Sequence, residues 1–304
     1  MKIAIIGAGA MGSLFGALLR KAKADVRLLD VWPEHVEAIN ENGLRVEWEG
    51  KTRTISARAF TDPADIGIAD LILIFVKSTQ TRVAAEIAKK LADETTLVMT
   101  LQNGLGNADT LAQVMGRGRI IAGTTSHGAT MLGPGHIRHA GRGPTVIGMW
   151  DGPDNGRIER VVDLFTTAGI EIKANADIRK IIWEKLLVNV GINAITALTH
   201  IKNGRILDLE VTRDLCRTAV EEAATVAEAL GISVKNDIVA HVYHVAGATA
   251  KNRSSMGQDV DHGRPTEISA INGAVVSAAG KAGIPVPVNQ TLTALVETLQ
   301  AHYS

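Results

Sequence analysis

Three polar side chains recur every four residues within an otherwise apolar stretch, at Lys185, Asn189 and Asn193. The stretch runs from 178 to 198 and reads IRKIIWEKLLVNVGINAITAL, with apolar residues at helical spacing, which predicts a largely buried helix. A spacing of four places the three side chains on one helix face. Burying an ammonium and two amides is costly unless polar groups meet them. They either hydrogen-bond within the core or form one wall of a substrate pocket, and three in register favour the pocket.

A second polar set follows in the segment 252–259, which reads NRSSMGQD and is predicted as a helix-poor connection between two helices. Asn252 and Ser255 supply an amide and a hydroxyl, and Glu267 follows with a carboxylate. Thr266 and Glu267 also have a purely structural explanation, in which Thr266 caps the following helix and Glu267 is a favourable acid in its first turn. Taken with Lys185 and the two asparagines, the set suits a small anionic substrate that carries a carbonyl and a hydroxyl.

A glycine-rich turn opens the chain directly after the predicted strand 2–6, and it leads into a predicted helix over 13–20. In the G-x-G-x-x-G pattern, the first glycine permits a tight turn and the second lets the backbone approach a pyrophosphate. The third lets the helix pack closely on the strand. In this strand–turn–helix context the pattern predicts a dinucleotide site, formed by Gly7, Ala8, Gly9, Ala10, Met11 and Gly12.

Asp30 ends the second predicted strand, 25–31, about 20 residues beyond the glycines. An acid there hydrogen-bonds the adenosine ribose hydroxyls of NAD, whereas an NADP site needs a cation for the 2′-phosphate. No basic residue stands at 30–33, and Arg27 lies inside the strand. The pattern therefore favours NADH over NADPH, although Asp30 could simply begin the turn Asp-Val-Trp-Pro.

Further apolar strands, 70–76 and 95–101, alternate with predicted helices, which is typical of a doubly wound parallel sheet. Ligands of such sheets bind beyond the carboxyl ends of the strands, where Lys77 and Asn103 fall. Either residue could be an ordinary turn residue, since Asn-Gly is a common turn dipeptide. Their position in the sheet favours contacts with the cofactor.

Beyond residue 175 the chain reads as successive helices, whose predicted bounds are 178–199, 208–230, 234–250, 265–282 and 289–302. A β-hairpin is expected over 44–60, around Glu49-Gly50. We therefore predict an α/β domain over 1–175, with a Rossmann-like doubly wound parallel sheet, and an all-α substrate or dimerisation domain over 176–304.

Composition excludes several classes of function. With 32 basic and 32 acidic residues among 304, the chain offers no electrostatic surface for nucleic acid or an anionic membrane. The single cysteine, Cys216, favours the reducing cytoplasm. Glycines interrupt the apolar N-terminal run, which argues against a targeting segment. His127, His136 and His139 lack Cys or Glu ligands at matching spacing, so we expect no metal site.

These motifs together resemble the 2-dehydropantoate 2-reductase (ketopantoate reductase) family, within the 6-phosphogluconate-dehydrogenase-like group of two-domain reductases. The resemblance covers nearly the whole chain. It rests on GAGAMG at 7–12, Lys77, QNG at 102–104, WEKLLVNVGINAITAL at 183–198, Asn203-Gly204, NRSSMGQD at 252–259 and GRPTEI at 263–268.

The resemblance implies a fold, an activity and a set of roles. Lys185 would be the general acid that protonates the carbonyl oxygen of a 2-keto acid, while hydride arrives from the nicotinamide. Asn103 would touch both cofactor and substrate, and Glu267 would lie near the substrate and Lys185. The residues implied to hold the keto acid are Asn189, Asn193, Asn203, Asn252 and Ser255.

Two departures leave alternatives open. Members that use NADPH carry an arginine at the end of the second strand, where this chain has Asp30-Val31. The segment LLDVWPEHVEAI also resembles NAD-dependent D-2-hydroxyacid dehydrogenases of this family, which take bulkier 2-keto acids such as benzoylformate. A non-catalytic dinucleotide sensor is a remoter alternative. Long apolar helices in the second domain lead us to expect a homodimer.

Overall fold

The structure is a computed structural model that describes residues 1–303, which divide into two units. Unit 1 comprises Met1–Gln102 and Asn107–Ile178, and unit 2 comprises Asn103–Gly106 and the chain from Arg179 onward. The division after Ile178 lies three residues beyond the boundary expected at 175. Unlike the contiguous first domain that we expected, unit 1 lacks the tetrapeptide Asn103–Gly106.

Unit 1 is built on an eight-stranded sheet whose neighbouring strands are parallel except for one antiparallel pair. Its strands are β1 (Lys2–Ile6), β2 (Asp25–Leu29), β5 (Arg58–Phe60), β6 (Leu71–Ile74), β7 (Leu97–Thr100), β8 (Ile120–Thr125), β11 (Thr145–Met149) and β12 (Ile172–Ala174). The helices are α1 (Ala10–Lys21), α2 (Pro33–Asn42), α3 (Thr81–Lys90), α4 (Asn107–Met115) and α5 (Arg157–Thr167).

The strand order β5-β2-β1-β6-β7-β8 is the order of dinucleotide-binding folds, so the predicted doubly wound sheet is confirmed. β1 occupies the centre and pairs in parallel with β2 on one side and β6 on the other. The central strands are apolar and buried except for the partly buried Lys2 at the start of β1 and the polar Thr100 at the end of β7, as expected for parallel strands covered on both faces. The chain reverses its strand order at β1, and α1 begins at that point.

A second, four-stranded sheet lies in the same unit, in the order β4-β3-β10-β9. It comprises β3 (Leu44–Trp48), β4 (Lys51–Ile55), β9 (Gly128–Gly133) and β10 (His136–Gly141). The hairpin predicted over 44–60 is correct for β3 and β4 but wrong beyond them. Residues 58–60 leave the hairpin and pair in parallel with β2. This pairing satisfies the backbone groups on the outer side of β2.

Unit 2 is helical and surrounds its own apolar core. Its helices are α6 (Ile178–Thr199), α7 (Glu210–Ala229), α8 (Ile238–Ala248), α9 (Ser255–Asp261), α10 (Asn272–Ala282) and α11 (Pro287–Gln300), with 3-10 helices at Asn203–Leu207 and Ile268–Ala270. Helix α6 begins at the last residue of unit 1 and continues through unit 2.

Two predictions for unit 2 are wrong in detail. The segment 252–259 was expected to be helix-poor, but Ser254 caps a short helix there by accepting a hydrogen bond from the Gly257 N–H. The helix expected over 265–282 is instead a 3-10 turn followed by α10. Ile271, at φ −104° and ψ −95°, lies outside the helical region and separates the two.

Helix α6 has the length and apolar composition of a membrane-crossing helix, yet most of its apolar window is buried within the structure. Gly191 lies at its centre, where a Cβ atom would approach Sγ of Cys216 and side-chain carbons of Val220 and Val242 to within 2.9 Å. The missing side chain lets α7 and α8 pack closely on α6. A largely apolar helix packed in this way is the core helix of unit 2.

The tetrapeptide Asn103–Gly106 follows directly after β7 and Gln102 and packs within unit 2. The Leu105 N–H donates to the Ala270 carbonyl at 2.9 Å. Gly104, at φ +84°, lies so close that a Cβ atom would stand 2.3 Å from the same oxygen. Only glycine permits both the left-handed backbone and the close approach to the turn at 268–270.

Gly104→Ala is expected to destabilise the protein more than Gly106→Ala. Both glycines have a positive φ, near +85°, but a Cβ atom at Gly106 would meet nothing within 4 Å. Backbone strain alone should cost about 1 kcal/mol in either variant, and the steric overlap at Gly104 should add about 1–3 kcal/mol. Urea unfolding of the two variants measures the difference, and equal losses would show that the contact with Ala270 is unimportant.

Candidate active site

The glycine turn has the geometry of a phosphate-binding turn. Gly7 adopts φ +91°, and a Cβ atom there would lie 2.8 Å from the Val76 nitrogen. A Cβ atom at Gly12 would lie 2.0 Å from the Gly7 carbonyl oxygen, so only glycine lets α1 start this close to β1. The N–H groups of Gly7 and Ala8 both donate to the Leu29 carbonyl, which fastens the turn to β2.

A dinucleotide fits this turn. A Cβ atom on Gly9 would meet nothing within 4 Å, so the space above the turn is open. Gly9 is the N-cap of α1 and provides no side-chain cap, which leaves the first N–H groups of the helix, at Ala10, Met11 and Gly12, without an intrahelical acceptor. Such a helix terminus favours a phosphate group.

Asp30 lies at the end of β2, where we expected a ribose-binding acid. Its N–H donates to the Phe60 carbonyl, and its Oδ1 accepts a hydrogen bond from the Trp32 N–H at 3.1 Å. The side chain therefore does form the turn that was the alternative interpretation. The Trp32 N–H uses one of the two carboxylate oxygens, Oδ1. Arg27 donates instead to the Ile66 carbonyl at 2.9 Å.

The ends of β6 and β7 are joined through Gln102. Its side-chain amide nitrogen donates to the Val76 carbonyl at 2.7 Å and approaches the Thr81 hydroxyl at 2.9 Å. Lys77 is exposed and lies three residues beyond the carboxyl end of β6, which ends at Ile74 and not at residue 76 as predicted. The sequence did not identify Gln102 as the residue that holds this edge together.

Lys185 has an unusual electrostatic environment on α6. Burial lowers the pKa of its ammonium group from the ordinary 10.5 to about 8, and the Glu267 carboxylate opposes this shift. The sequence could name both effects but could not decide which is larger. Desolvation is larger, because the surrounding helix is apolar while a single carboxylate supplies the compensating charge.

Glu267 is brought into unit 2's polar set by the turn that precedes α10. Glu267 is only 9% exposed, and its Oε2 lies 3.5 Å from the Asn103 amide nitrogen. The adjacent Thr266 is held by Gln300 on α11, whose Oε1 accepts from both the Thr266 N–H and its hydroxyl. The structure thus groups Lys185, Glu267 and Asn103, which are separated widely in sequence.

Asn189 and Asn193 follow Lys185 along the same face of α6. Asn189 is partly buried and Asn193 is 5% exposed. The Asn193 amide nitrogen finds no hydrogen-bond partner among residues 1–303. Since an unsatisfied buried donor is costly, this nitrogen is a candidate ligand-binding group.

The remaining predicted binding residues lie around the C-terminal side of α8. The Asn203 N–H donates to the Asn252 carbonyl, and the Asn203 side-chain amide donates to the Thr249 hydroxyl at 3.0 Å. Asn203 is buried, whereas Asn252 and Ser255 are exposed. The backbone of the 3-10 helix at 203–207 is therefore tied to the segment that carries Asn252.

Arg253 fastens the same segment, and sequence reasoning missed it. Its guanidinium donates to the Thr196 and Ile201 carbonyls at the end of α6 and forms a bidentate pair with Asp261. A Cβ atom on Gly257 would lie 2.6 Å from the guanidinium, so the glycine leaves room for it. The available signal was an arginine with an acid eight residues later, which sequence alone does not distinguish from surface charge.

The histidines considered as metal ligands form a different arrangement. His127 Nδ1 lies 3.0 Å from His139 Nε2, and burial lowers the pKa of His127 to about 4. Among residues 1–303, no group of three or more His, Cys, Asp or Glu side chains could hold a metal ion.

The family model described as ketopantoate reductase PanE/ApbA matches residues 3–152, and its C-terminal counterpart matches residues 177–300. The chain is 41% identical over 301 residues to a 2-dehydropantoate 2-reductase of Halobacterium salinarum, covering 99% of both proteins. It also resembles the crystal structure of a PanE/ApbA family ketopantoate reductase from Ralstonia eutropha, with a TM-score of 0.92, 35% identity and 99% coverage of both chains.

A second solved structure has a different activity in its name. This D-mandelate dehydrogenase, in a ternary complex with NADH and anilino(oxo)acetate, matches with a TM-score of 0.93, 28% identity and 99% coverage of both chains. The two family models together span most of the chain, and both units carry the motifs that first suggested the resemblance. The chain belongs to the ketopantoate reductase family.

Proposed function

We propose that this protein reduces 2-dehydropantoate to (R)-pantoate, with Lys185 as the proton donor. The observation that carries the proposal is the Lys185 ammonium, whose pKa burial lowers to about 8, beside the Glu267 carboxylate and on one helix face with Asn189 and Asn193. Such an ammonium is protonated at neutral pH and still gives up its proton more readily than an ordinary lysine. These are the properties of a general acid.

A nicotinamide cofactor held by the glycine turn at 7–12 would supply the hydride to the carbonyl carbon of the 2-keto acid. As negative charge develops on the carbonyl oxygen, the Lys185 ammonium stabilises it and transfers a proton to it. Glu267 favours the charged form of Lys185 before the reaction, because its carboxylate raises the lysine pKa. Asn103, whose amide nitrogen lies 3.5 Å from Glu267, orients this carboxylate and can contact the substrate.

The amides along α6 and the segment 252–255 hold the substrate in this proposal. Asn193 offers a buried amide nitrogen that a substrate oxygen would satisfy. Ser255 and Asn252 offer exposed polar groups, with Ser255 assigned to the carboxylate, and Asn189 and Asn203 complete the set. A site with buried amides selects a keto acid that also carries a hydroxyl, since an analogue without it leaves donors unpaired.

The comparisons favour 2-dehydropantoate over a bulkier keto acid as the substrate. The Halobacterium salinarum relative named 2-dehydropantoate 2-reductase shares 41% of its residues with this chain, and the D-mandelate dehydrogenase shares 28%. Mandelate derives from benzoylformate, which lacks the hydroxyl of 2-dehydropantoate. The buried amides of α6 therefore also favour 2-dehydropantoate.

We propose NADH as the preferred cofactor because Asp30 directly follows β2. A carboxylate there suits the ribose hydroxyls of NADH and repels the 2′-phosphate of NADPH. Arg27 lies inside β2, and its guanidinium donates to the Ile66 carbonyl at 2.9 Å and pairs with the Asp25 carboxylate at 3.5 Å. NADPH, which the resemblance implies for members with an arginine at this place, is the alternative.

A steady-state panel tests substrate and cofactor together. We expect kcat/KM to be highest for 2-dehydropantoate, lower for 2-ketoisovalerate and benzoylformate, and higher with NADH than with NADPH for every keto acid. In Asp30→Ala the preference for NADH should decrease, because the repulsion of the 2′-phosphate is removed.

Two outcomes of this panel would contradict the proposal separately. A higher kcat/KM for benzoylformate than for 2-dehydropantoate would assign the protein to the D-2-hydroxyacid dehydrogenases. A higher kcat/KM with NADPH in the unmodified protein would refute the role of Asp30 and leave the substrate assignment intact.

Lys185→Ala should lower kcat by on the order of 10² or more, because the reaction loses its positioned acid. The affinity for NADH should stay nearly unchanged, since the nucleotide turn lies in unit 1. Lys281→Ala is the matched control, because Lys281 is an exposed lysine of the same unit at the end of α10. Activity in Lys185→Ala comparable to the control would remove Lys185 from the mechanism.

The pH dependence of the two reaction directions should be opposite. Reduction needs protonated Lys185, so its kcat/KM should fall as the pH rises through about 8. Oxidation of pantoate needs the neutral amine, so its rate should rise over the same range. In Glu267→Gln both limbs should move to lower pH, because the carboxylate that raises the lysine pKa is gone. Profiles that do not move in this variant would separate Glu267 from Lys185.

We further propose that the protein is a cytoplasmic homodimer. The single cysteine, Cys216, is buried and unpaired by any disulfide, which suits a reducing compartment. Unit 2 exposes apolar side chains at the start of α7, among them Leu209 and Val211. The molar mass measured by light scattering tests the assembly, and a monomer at micromolar concentration would contradict it.

A further inference from the structure

His35 lies on α2 and is completely buried, although no step of the proposed reaction uses it. The Gly135 N–H donates to its Nδ1 at 2.9 Å. A backbone N–H can only donate, so Nδ1 is an acceptor and the ring is neutral with its proton on Nε2. That Nε2–H donates to the Ala8 carbonyl, also at 2.9 Å.

The Ala8 carbonyl receives a second side-chain hydrogen bond. The Ser13 hydroxyl, on the first turns of α1, donates to it at 2.6 Å and is itself completely buried. The Ala8 N–H meanwhile donates to the Leu29 carbonyl. Both polar groups of Ala8 are thus bound on the protein side of the turn.

This arrangement determines where the next N–H points. In a planar trans peptide, the N–H of one residue is directed opposite to the carbonyl of the residue before it. With the Ala8 carbonyl drawn towards His35 and Ser13, the Gly9 N–H is directed away from them. The space on Gly9 is open, since a Cβ atom there would meet nothing within 4 Å.

We propose that His35 is a positioning residue for the cofactor, which acts through the Ala8 carbonyl to aim the Gly9 N–H at the pyrophosphate. This inference rests on the proposed use of a nicotinamide dinucleotide. His35 does not touch the cofactor and has no role in hydride or proton transfer.

The smaller sheet of unit 1 supports His35 from the other side. Gly135 belongs to the turn between β9 and β10, and its carbonyl accepts from the Arg45 N–H of β3 at 2.8 Å. A Cβ atom on Gly135 would lie 3.0 Å from Cβ of Ala38, so the turn packs closely on α2. Trp32 stacks on the His35 ring, with centroids 5.3 Å apart. The ring is therefore fixed in position and in tautomer.

Two substitutions separate the hydrogen bonds of His35. In His35→Gln the side-chain nitrogen can replace Nε2 as donor to the Ala8 carbonyl, while in His35→Asn the side-chain oxygen can replace Nδ1 as acceptor from Gly135. We expect His35→Asn to raise the Kd for NADH by about tenfold, which corresponds to the loss of one charge-assisted hydrogen bond, that of the Gly9 N–H to the pyrophosphate. His35→Gln should raise this Kd by less than about threefold, because the donor to the Ala8 carbonyl is kept.

The catalytic constant distinguishes positioning from general damage. At saturating NADH and keto acid, kcat should stay within about twofold of the unmodified protein in both variants, because binding rather than chemistry is affected. Thr96→Val is a control of similar character. Thr96 is completely buried in unit 1 and donates to the Ala69 carbonyl at 2.7 Å, so its loss should lower stability and leave the Kd for NADH unchanged.

Ser13→Ala is a second route to the same question if either His35 variant does not fold. It removes the other donor to the Ala8 carbonyl and should raise the Kd for NADH by a few fold with kcat unchanged. Equal effects of His35→Asn and His35→Gln on the Kd would overturn the inference, as would an unchanged Kd in Ser13→Ala. If the unmodified protein binds neither NADH nor NADPH in direct titration, the proposed function fails as well.

Discussion

The arrangement of the polar residues in unit 2 depends on one constraint, which is that the Lys185 ammonium lies on a largely apolar helix in the core. Desolvation lowers the pKa of Lys185 to about 8, and the Glu267 carboxylate opposes this shift and favours the charged form. Glu267 must therefore be brought to α6 from a position more than eighty residues later in the chain. The 3-10 turn at 268–270 and the Thr266–Gln300 contact hold it there.

The same turn receives the tetrapeptide that follows β7. Leu105 bonds to the Ala270 carbonyl, and Gly104 permits the approach, which places Asn103 beside Glu267. One short turn thus positions the carboxylate and receives the amide. Glu267, which raises the pKa of Lys185, and Asn103, which contacts Glu267, are therefore both held by the turn at 268–270.

Unit 1 solves a different problem, which is the orientation of peptide groups. Glycines at 7 and 12 allow a tight turn and close packing, but glycine also gives a backbone many conformations. The Ala8 N–H donates to the Leu29 carbonyl, and the Ala8 carbonyl accepts from Ser13 and His35. These hydrogen bonds restrict that freedom. The smaller sheet contributes through the Gly135 N–H, which fixes the tautomer of His35.

The sequence alone determined the parallel sheet, the glycine turn and the face of α6, because these depend on local periodicity and on residues close in the chain. It also suggested the family through motifs that the family models match. Only the tertiary structure decided that residues 58–60 leave their hairpin and that residues 255–261 form a helix. It alone showed that the side chains of Arg253 and His35 donate hydrogen bonds to backbone carbonyls distant in sequence. It also decided that desolvation exceeds the effect of Glu267 on Lys185. Hydrogen-bond partners and local dielectric are set by groups brought together from distant parts of the chain, and local pattern does not contain them.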